Sequence, residues 1–244
     1  MYWLAFAPKF TNSEDVETIA MRRNGLGHLK YNTIEVAAID NLFNTNVFKD
    51  SSATKTNFIS NAKDYKIIHL STHAKSNDTY GDYSFIAFSK NDSLQKDKLY
   101  VRELYNLDLD ADMVVLSACE TGIGELKKGE GVISLARAFT YAGARSTITS
   151  LWNVNDAQTT KLMTLFYTNL KEGMPKDEAL RKAKLTYIEN ENLTSPYFWA
   201  AFTPTGDMKA IEISSNSKLK YIGIGALLLV LLFGVRFFLK KRIA

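Results

Sequence analysis

Short, unbroken apolar runs set between helix-patterned stretches constrain this 244-residue chain more than any other feature. Ile67-Ile68-His69-Leu70 and Met113-Val114-Val115-Leu116 are too short for helices and lack the alternation of a half-solvated strand. Such runs are typical of strands buried on both faces of a parallel sheet. Ser146–Leu151 is a third, and Met1–Pro8 opens the chain as a further buried strand. Tyr83–Ser89 alternates like a strand, and Asn91-Asp92 marks a turn after it. Between the runs lie helical patterns with recognisable ends. Thr33 can cap Ile34–Phe43, and Gly131–Tyr141 repeats its apolar residues at helical spacing and stops at Gly143. Asp156 can cap Ala157–Lys171, which ends at Gly173, and Pro175 stands before Lys176–Ile188. The alternation predicts one α/β domain over residues 1–213, with helices on both faces of a mostly parallel sheet.

A different pattern closes the sequence. Tyr221–Val235 is uncharged and strongly apolar, Arg236 interrupts it, Phe237–Leu239 extend it, and Lys240-Lys241-Arg242 stops it. At about 1.5 Å per residue this run is close to the roughly 30 Å of a bilayer's hydrocarbon core. One C-terminal transmembrane helix is therefore expected at 221–239, after a polar linker at 214–220 and before a basic tail at 240–244; a buried core helix is the alternative. The basic cluster puts the C-terminus in the cytoplasm and the body on the outer, periplasmic or extracytoplasmic face of a single-pass membrane protein. Met1–Pro8 has neither the basic start nor the length of a signal peptide, so a tail anchor with a cytoplasmic body is the other arrangement. A chain that begins inside a strand also suggests a longer parent. Lys218, Lys220, Arg236, Lys240, Lys241 and Arg242 account for more than the whole formal charge of +4. The body is thus slightly acidic, which argues against a nucleic-acid partner.

Open α/β sheets place their chemistry beyond the carboxyl ends of the strands. Two ends carry reactive side chains: His73 follows one run, and Cys119 follows the other within Leu116-Ser117-Ala118-Cys119-Glu120-Thr121-Gly122. Cys119 is the only cysteine, so no internal disulfide can form. A lone cysteine is commonly an inert buried thiol. The polar residues and glycine after Cys119 instead suggest an exposed turn, where a neighbouring imidazole can support a thiolate. His69 sits within its apolar run and reads as a core or supporting histidine, and His28, in Gly25-Leu26-Gly27-His28, reads as a solvated loop residue. Other motifs fail on particular residues. Leu70 stands where a zinc-protease helix needs Glu, and three histidines and one cysteine are too scattered for structural zinc. Lys127 stands where a dinucleotide loop starting at Gly122-Ile123-Gly124 needs its last Gly, and Glu130 where a phosphate loop from Gly124 needs Lys. No metal and no cofactor are expected.

Four motifs in order resemble a known family: His69-Leu70-Ser71-Thr72-His73-Ala74, Leu116–Gly122, Gly129–Phe139, and Ser150-Leu151-Trp152-Asn153-Val154-Asn155-Asp156. They look like the CHAT domain, a caspase-like domain often found after TPR repeats and related to separase. Leu4–Pro8 and Phe198–Phe202 extend the resemblance over most of residues 1–205. It implies a caspase–hemoglobinase-like three-layer sandwich, a TPR-type regulatory region upstream, and a cysteine endopeptidase acting on a protein or peptide substrate. By motif position His73 is the catalytic histidine and Cys119 the nucleophile. The oxyanion hole is implied to be the backbone N–H groups of Ala74 and Cys119; many relatives have Gly where Ala74 stands. Ser117 matches a position bordering the P1 pocket. Asp156 matches an acid that in separase helps to receive a basic P1 residue, beside its reading as a helix cap. Two rivals are a catalytically inactive, membrane-anchored scaffold or sensor and a small-molecule thiol enzyme on the same dyad.

Overall fold

The computed structural model describes residues 2–10, 28–77, 80–90, 97–117, 130–191 and 195–212, with only the backbone of 130–134. Met1–Ile211 forms one compact unit. Its elements run β1 (Trp3–Pro8), α1 (Asn32–Phe43), β2 (Asn46–Asp50), α2 (Lys55–Asn61), β3 (Ile67–Ser71), β4 (Ala74–Lys75), β5 (Phe85–Ala87) and β6 (Lys98–Tyr100). They continue with α3 (Val101–Leu104), β7 (Met113–Ser117), α4 (Glu130–Tyr141), β8 (Ser146–Ser150), α5 (Asp156–Lys171), α6 (Lys176–Asn190), α7 (Pro196–Trp199) and β9 (Phe202–Gly206). The main sheet has the order β2-β1-β3-β7-β8-β9, and β4-β5-β6 form a small second sheet.

The apolar runs become β3, β7 and β8, parallel to one another and to β1 and β2. β9 joins β8 antiparallel, and the small sheet is wholly antiparallel, so the architecture is mixed α/β. Alternate strand residues face two helical layers. Leu4, Phe6, Ile68, Leu70, Val114 and Leu116 enter one apolar core with Phe58 of α2, Leu104 of α3 and Phe139 of α4. The opposite face lies under α1, which packs on β1 and β3 and against α5, while α6 packs on α5. Helix ends follow local chemistry. Gly143 (φ +110°) turns the chain after α4, where any Cβ would fall 1.9 Å from the Leu109 carbonyl oxygen. At α5 the cap is Asn155, whose side chain accepts from the Ala157 and Gln158 N–H groups, and Asp156 is the first helical residue instead of the expected cap. Thr33 likewise does not cap α1, which begins at Asn32.

The expectation of a transmembrane helix is corrected. Among the described residues no helix is long and apolar enough to cross a membrane. Residues 221–239, on which that expectation rested, lie outside the described residues, as do the linker and the basic tail. Hydropathy gave that run a preference for an apolar medium, and no described helix carries it. The fold is α/β with a mixed sheet, and because no helix among the described residues is long and apolar enough to cross a membrane, the single-pass membrane localisation, in either orientation, is not supported.

Candidate functional site

Strand order locates the crevice. The chain goes from β1 outward to β2, then returns to β3 on the other side of β1 and continues through β7 and β8. The order reverses between β1 and β3, and such a switch point leaves an opening beyond the carboxyl ends of the two strands. Asn32, the first residue of α1, bridges that opening: its Nδ2 donates to the Pro8 carbonyl (2.8 Å) and to the Ser71 carbonyl (3.4 Å). Lys9 N–H donates to Ser89 Oγ, which donates to the Asp50 carbonyl, so the end of β1 is also held from the other side.

His73 lies at this mouth, two residues past the end of β3. It is 5% exposed, and its ring packs against Phe10 at 4.8 Å between centroids. Its carbonyl accepts from Ala87 N–H, fixing its backbone to β5. Ala74 follows as the first residue of β4, with its methyl group in the apolar core. β3 and β7 run in register with Ser71 opposite Ser117, and Thr72 N–H donates to the Ser117 carbonyl at 3.2 Å. Cys119, two residues beyond Ser117 in sequence, lies outside the described residues.

Ser117 is fully buried, and its Oγ donates to Glu35 Oε1 at 2.5 Å. Asp156 stands at the start of α5, where its Oδ2 accepts from Lys30 N–H at 3.2 Å. Burial, reinforced by the charge of Glu35, raises the Asp156 carboxyl above the ordinary aspartate value; His73, the Lys30 N–H and His28 oppose the shift. Asp156 and His73 therefore share one electrostatic neighbourhood at the mouth. His28 is exposed, as the sequence implied.

Glu35 is the residue that sequence reasoning missed. It lies on α1, 2% exposed, and accepts from Ser71 Oγ at Oε2 (3.1 Å) as well as from Ser117 at Oε1. His69, 1% exposed, brings Nε2 within 2.9 Å of the same Oε1, although its N–H is not aligned along a hydrogen-bond line. His69 Nδ1 meets Tyr167 Oη of α5 at 2.9 Å. Burial, then the Glu35 charge, raises the Tyr167 phenol well above its ordinary value, so the phenol keeps its proton. The only sequence sign of this network was a histidine inside an apolar strand. Among the described residues no group of His, Cys, Asp and Glu side chains is arranged to hold a metal ion.

The CHAT domain model matches residues 7–207 of this chain. Tetratricopeptide repeat protein 28 of Mus musculus is 30% identical over 125 residues, covering 51% of this chain and 5% of its own length. The Homo sapiens protein of the same name is 30% identical over 130 residues, covering 53% of this chain and again 5% of its own. The Arg specific cysteine proteinase gingipain R superposes with a TM-score of 0.55 at 11% identity, over 86% of this chain and 47% of that one. The complex of Porphyromonas gingivalis RgpB pro- and mature domains gives 0.53 at 14% identity, over 86% and 48%. At such identities the likeness is one of fold, the caspase–hemoglobinase-like α/β fold.

Proposed function

This chain belongs to the CHAT-domain family, and on that premise we propose that it is a cysteine endopeptidase in which His73 and Cys119 form the catalytic dyad. The observation that carries the reading is the register of β3 and β7. Ser71 and Ser117 are opposite one another, so His73 and Cys119 each follow, by two residues, one member of a cross-strand pair formed by β3, which borders the switch point, and its neighbour β7.

The reaction is acyl transfer. The Cys119 thiolate attacks the scissile carbonyl carbon, and the carbonyl π electrons move onto oxygen. The Ala74 and Cys119 N–H groups donate to that oxyanion; one such donor is worth about 3–4 kcal/mol of transition-state stabilisation. As the C–N bond breaks, His73 gives its proton to the leaving amine. Water, deprotonated by His73, then cleaves the thioester and restores the thiol. Asp156 is the acid that meets a basic P1 side chain. Its support is its position in the field of His73, and the gingipain of like fold is named as Arg specific. Ser117, buried beneath the mouth, borders the P1 pocket from the strand side. The named relatives are tetratricopeptide repeat proteins, and regulation by a TPR-type region upstream belongs to the same proposal.

The test is the pH dependence of Cys119 alkylation by iodoacetamide, free of background because the chain has one thiol. A midpoint well below about 8.5 that rises in His73→Ala supports the dyad. An ordinary or unreactive thiol in both proteins refutes it and favours a non-catalytic caspase-like module. Cys119→Ala should abolish peptide hydrolysis without loss of fold.

A further inference from the structure

The Glu35 network has no part in the bond-making steps above, yet it lies directly behind them. We propose that Glu35 is a positioning residue: its buried carboxylate ties the carboxyl ends of β3 and β7 together and presents a fixed negative charge to His73. The inference rests on the peptidase reading for its purpose, though not for its test.

Packing alone does not call for a glutamate at this place. Val36 and Ile39 supply the buried apolar contacts of α1, and a carboxylate taken out of water is costly unless it is well paired. Here it is paired in a specific way. One carboxyl group accepts from Ser71 through Oε2 and from Ser117 through Oε1, and these two serines are register partners on adjacent strands. One turn of α1 therefore holds three strand ends, because Asn32 binds the Pro8 and Ser71 carbonyls. His73 is two residues beyond one arm of this clamp. A slip of either strand would move the histidine relative to the chain leaving β7.

The charge is directed as well as held. Tyr167 keeps its proton and meets His69 Nδ1 at 2.9 Å, and His69 Nε2 lies 2.9 Å from Glu35 Oε1. The field of the carboxylate reaches the mouth, where it adds to burial in raising the Asp156 carboxyl. The titratable groups around the clamp are His69 on β3, Tyr167 and Asp156 on α5, His73 after β3 and His28 before α1. A nearby negative charge favours an imidazolium, the form that gives up a proton to a leaving amine.

The experiment is an NMR titration of His73 in the full chain, its resonances assigned by single histidine substitutions, for wild type, Glu35→Gln and Ser117→Ala. Glu35→Gln keeps the size and one acceptor and removes the charge. The His73 midpoint should fall by about half a pH unit or more, a roughly threefold loss of proton affinity. Ser117→Ala keeps the charge and removes one arm. It should lower the iodoacetamide rate of Cys119 at pH 7 about fivefold or more with a smaller movement of the His73 midpoint. Folded variants with a His73 titration superimposable on wild type overturn the proposal, whatever the thiol does. An ordinary thiol in the wild type refutes the peptidase reading separately. Should Glu35→Gln fail to fold, Ser71→Ala tests the other arm of the clamp: hydrogen exchange at the Thr72 N–H, which donates to the Ser117 carbonyl, should quicken about fivefold or more, and wild-type exchange in that variant overturns the proposal.

Discussion

The two faces of the main sheet are built from alternate residues of the same strands and differ sharply in chemistry. On β3, Ile68 and Leu70 enter an unbroken apolar core, whereas His69 and Ser71 enter a polar assembly with Glu35 and Tyr167. The apolar face gains about 1.5–3 kcal/mol for each large side chain buried. The polar face gains only about 1 kcal/mol net per hydrogen bond, and loses more when one partner is missing. The α1–α5 side also buries Ile39, Leu162 and Phe166, so its polar assembly is set inside apolar packing of its own. The α1–α5 side keeps an arrangement that an apolar packing of equal volume could match or exceed in stability. Period-two alternation lets one strand serve both ends without compromise.

Substitutions on the two faces sharpen this contrast. The largest effect is expected for Phe6→Ala. Its ring meets Phe48, Phe58 and Phe88 at 4.9, 5.6 and 5.8 Å, and its loss should cost about 3–5 kcal/mol in urea unfolding. The residual folded protein should keep the wild-type alkylation profile; a changed profile would mean that the apolar face also sets the chemistry. Tyr167→Phe keeps the ring against Trp3 and removes one buried hydroxyl. It should cost about 1–2 kcal/mol in the same urea measurement, and a cost as large as that of Phe6→Ala would erase the distinction between the faces.

Asp156→Asn should have the smallest effect on stability, and of opposite sign. The folded carboxyl binds its proton more tightly than the unfolded one, so the stability associated with it is present at low pH. It is lost as pH rises from the ordinary aspartate value of 3.8 through the raised folded value. The variant should therefore be slightly more stable than wild type at pH 7 and equal to it well below pH 3.8, measured by thermal unfolding across that range. It should also cleave after basic residues more slowly. Equal stability at every pH would mean that the carboxylate is as well hydrated in the folded protein as in the unfolded one.

Much of this frame was legible in residue order. The apolar runs became β3, β7 and β8, Gly143 and Gly173 followed their helices, and His73 lay at a strand mouth. Glu35 was not legible, because a glutamate in an amphipathic helix normally reads as solvated. Its burial depends on Ser71 and Ser117, 36 and 82 residues away, and no local pattern encodes such partners. The cap of α5 moved by one residue because Asn155 and Asp156 are both good caps, and only the backbone angle at the helix entry decides between them. β9 is absent from the sequence reading; it carries Pro204 and Gly206, both poor strand formers, and is an edge strand. At the C-terminus the apolar run 221–239 lies outside the described residues, and no described helix is long and apolar enough to cross a membrane.

The two strands that bound the main sheet have a consequence for how copies of this chain behave in a crowded solution. β2 ends in Lys49 and Asp50, with Asp50 at φ +51° bending the backbone away, and β9 carries Pro204 at its midpoint. A charged, bent border on one side and a missing N–H on the other discourage edge-to-edge growth into stacked fibrils. A sheet this apolar can thus be kept at high local concentration without its edges zipping together.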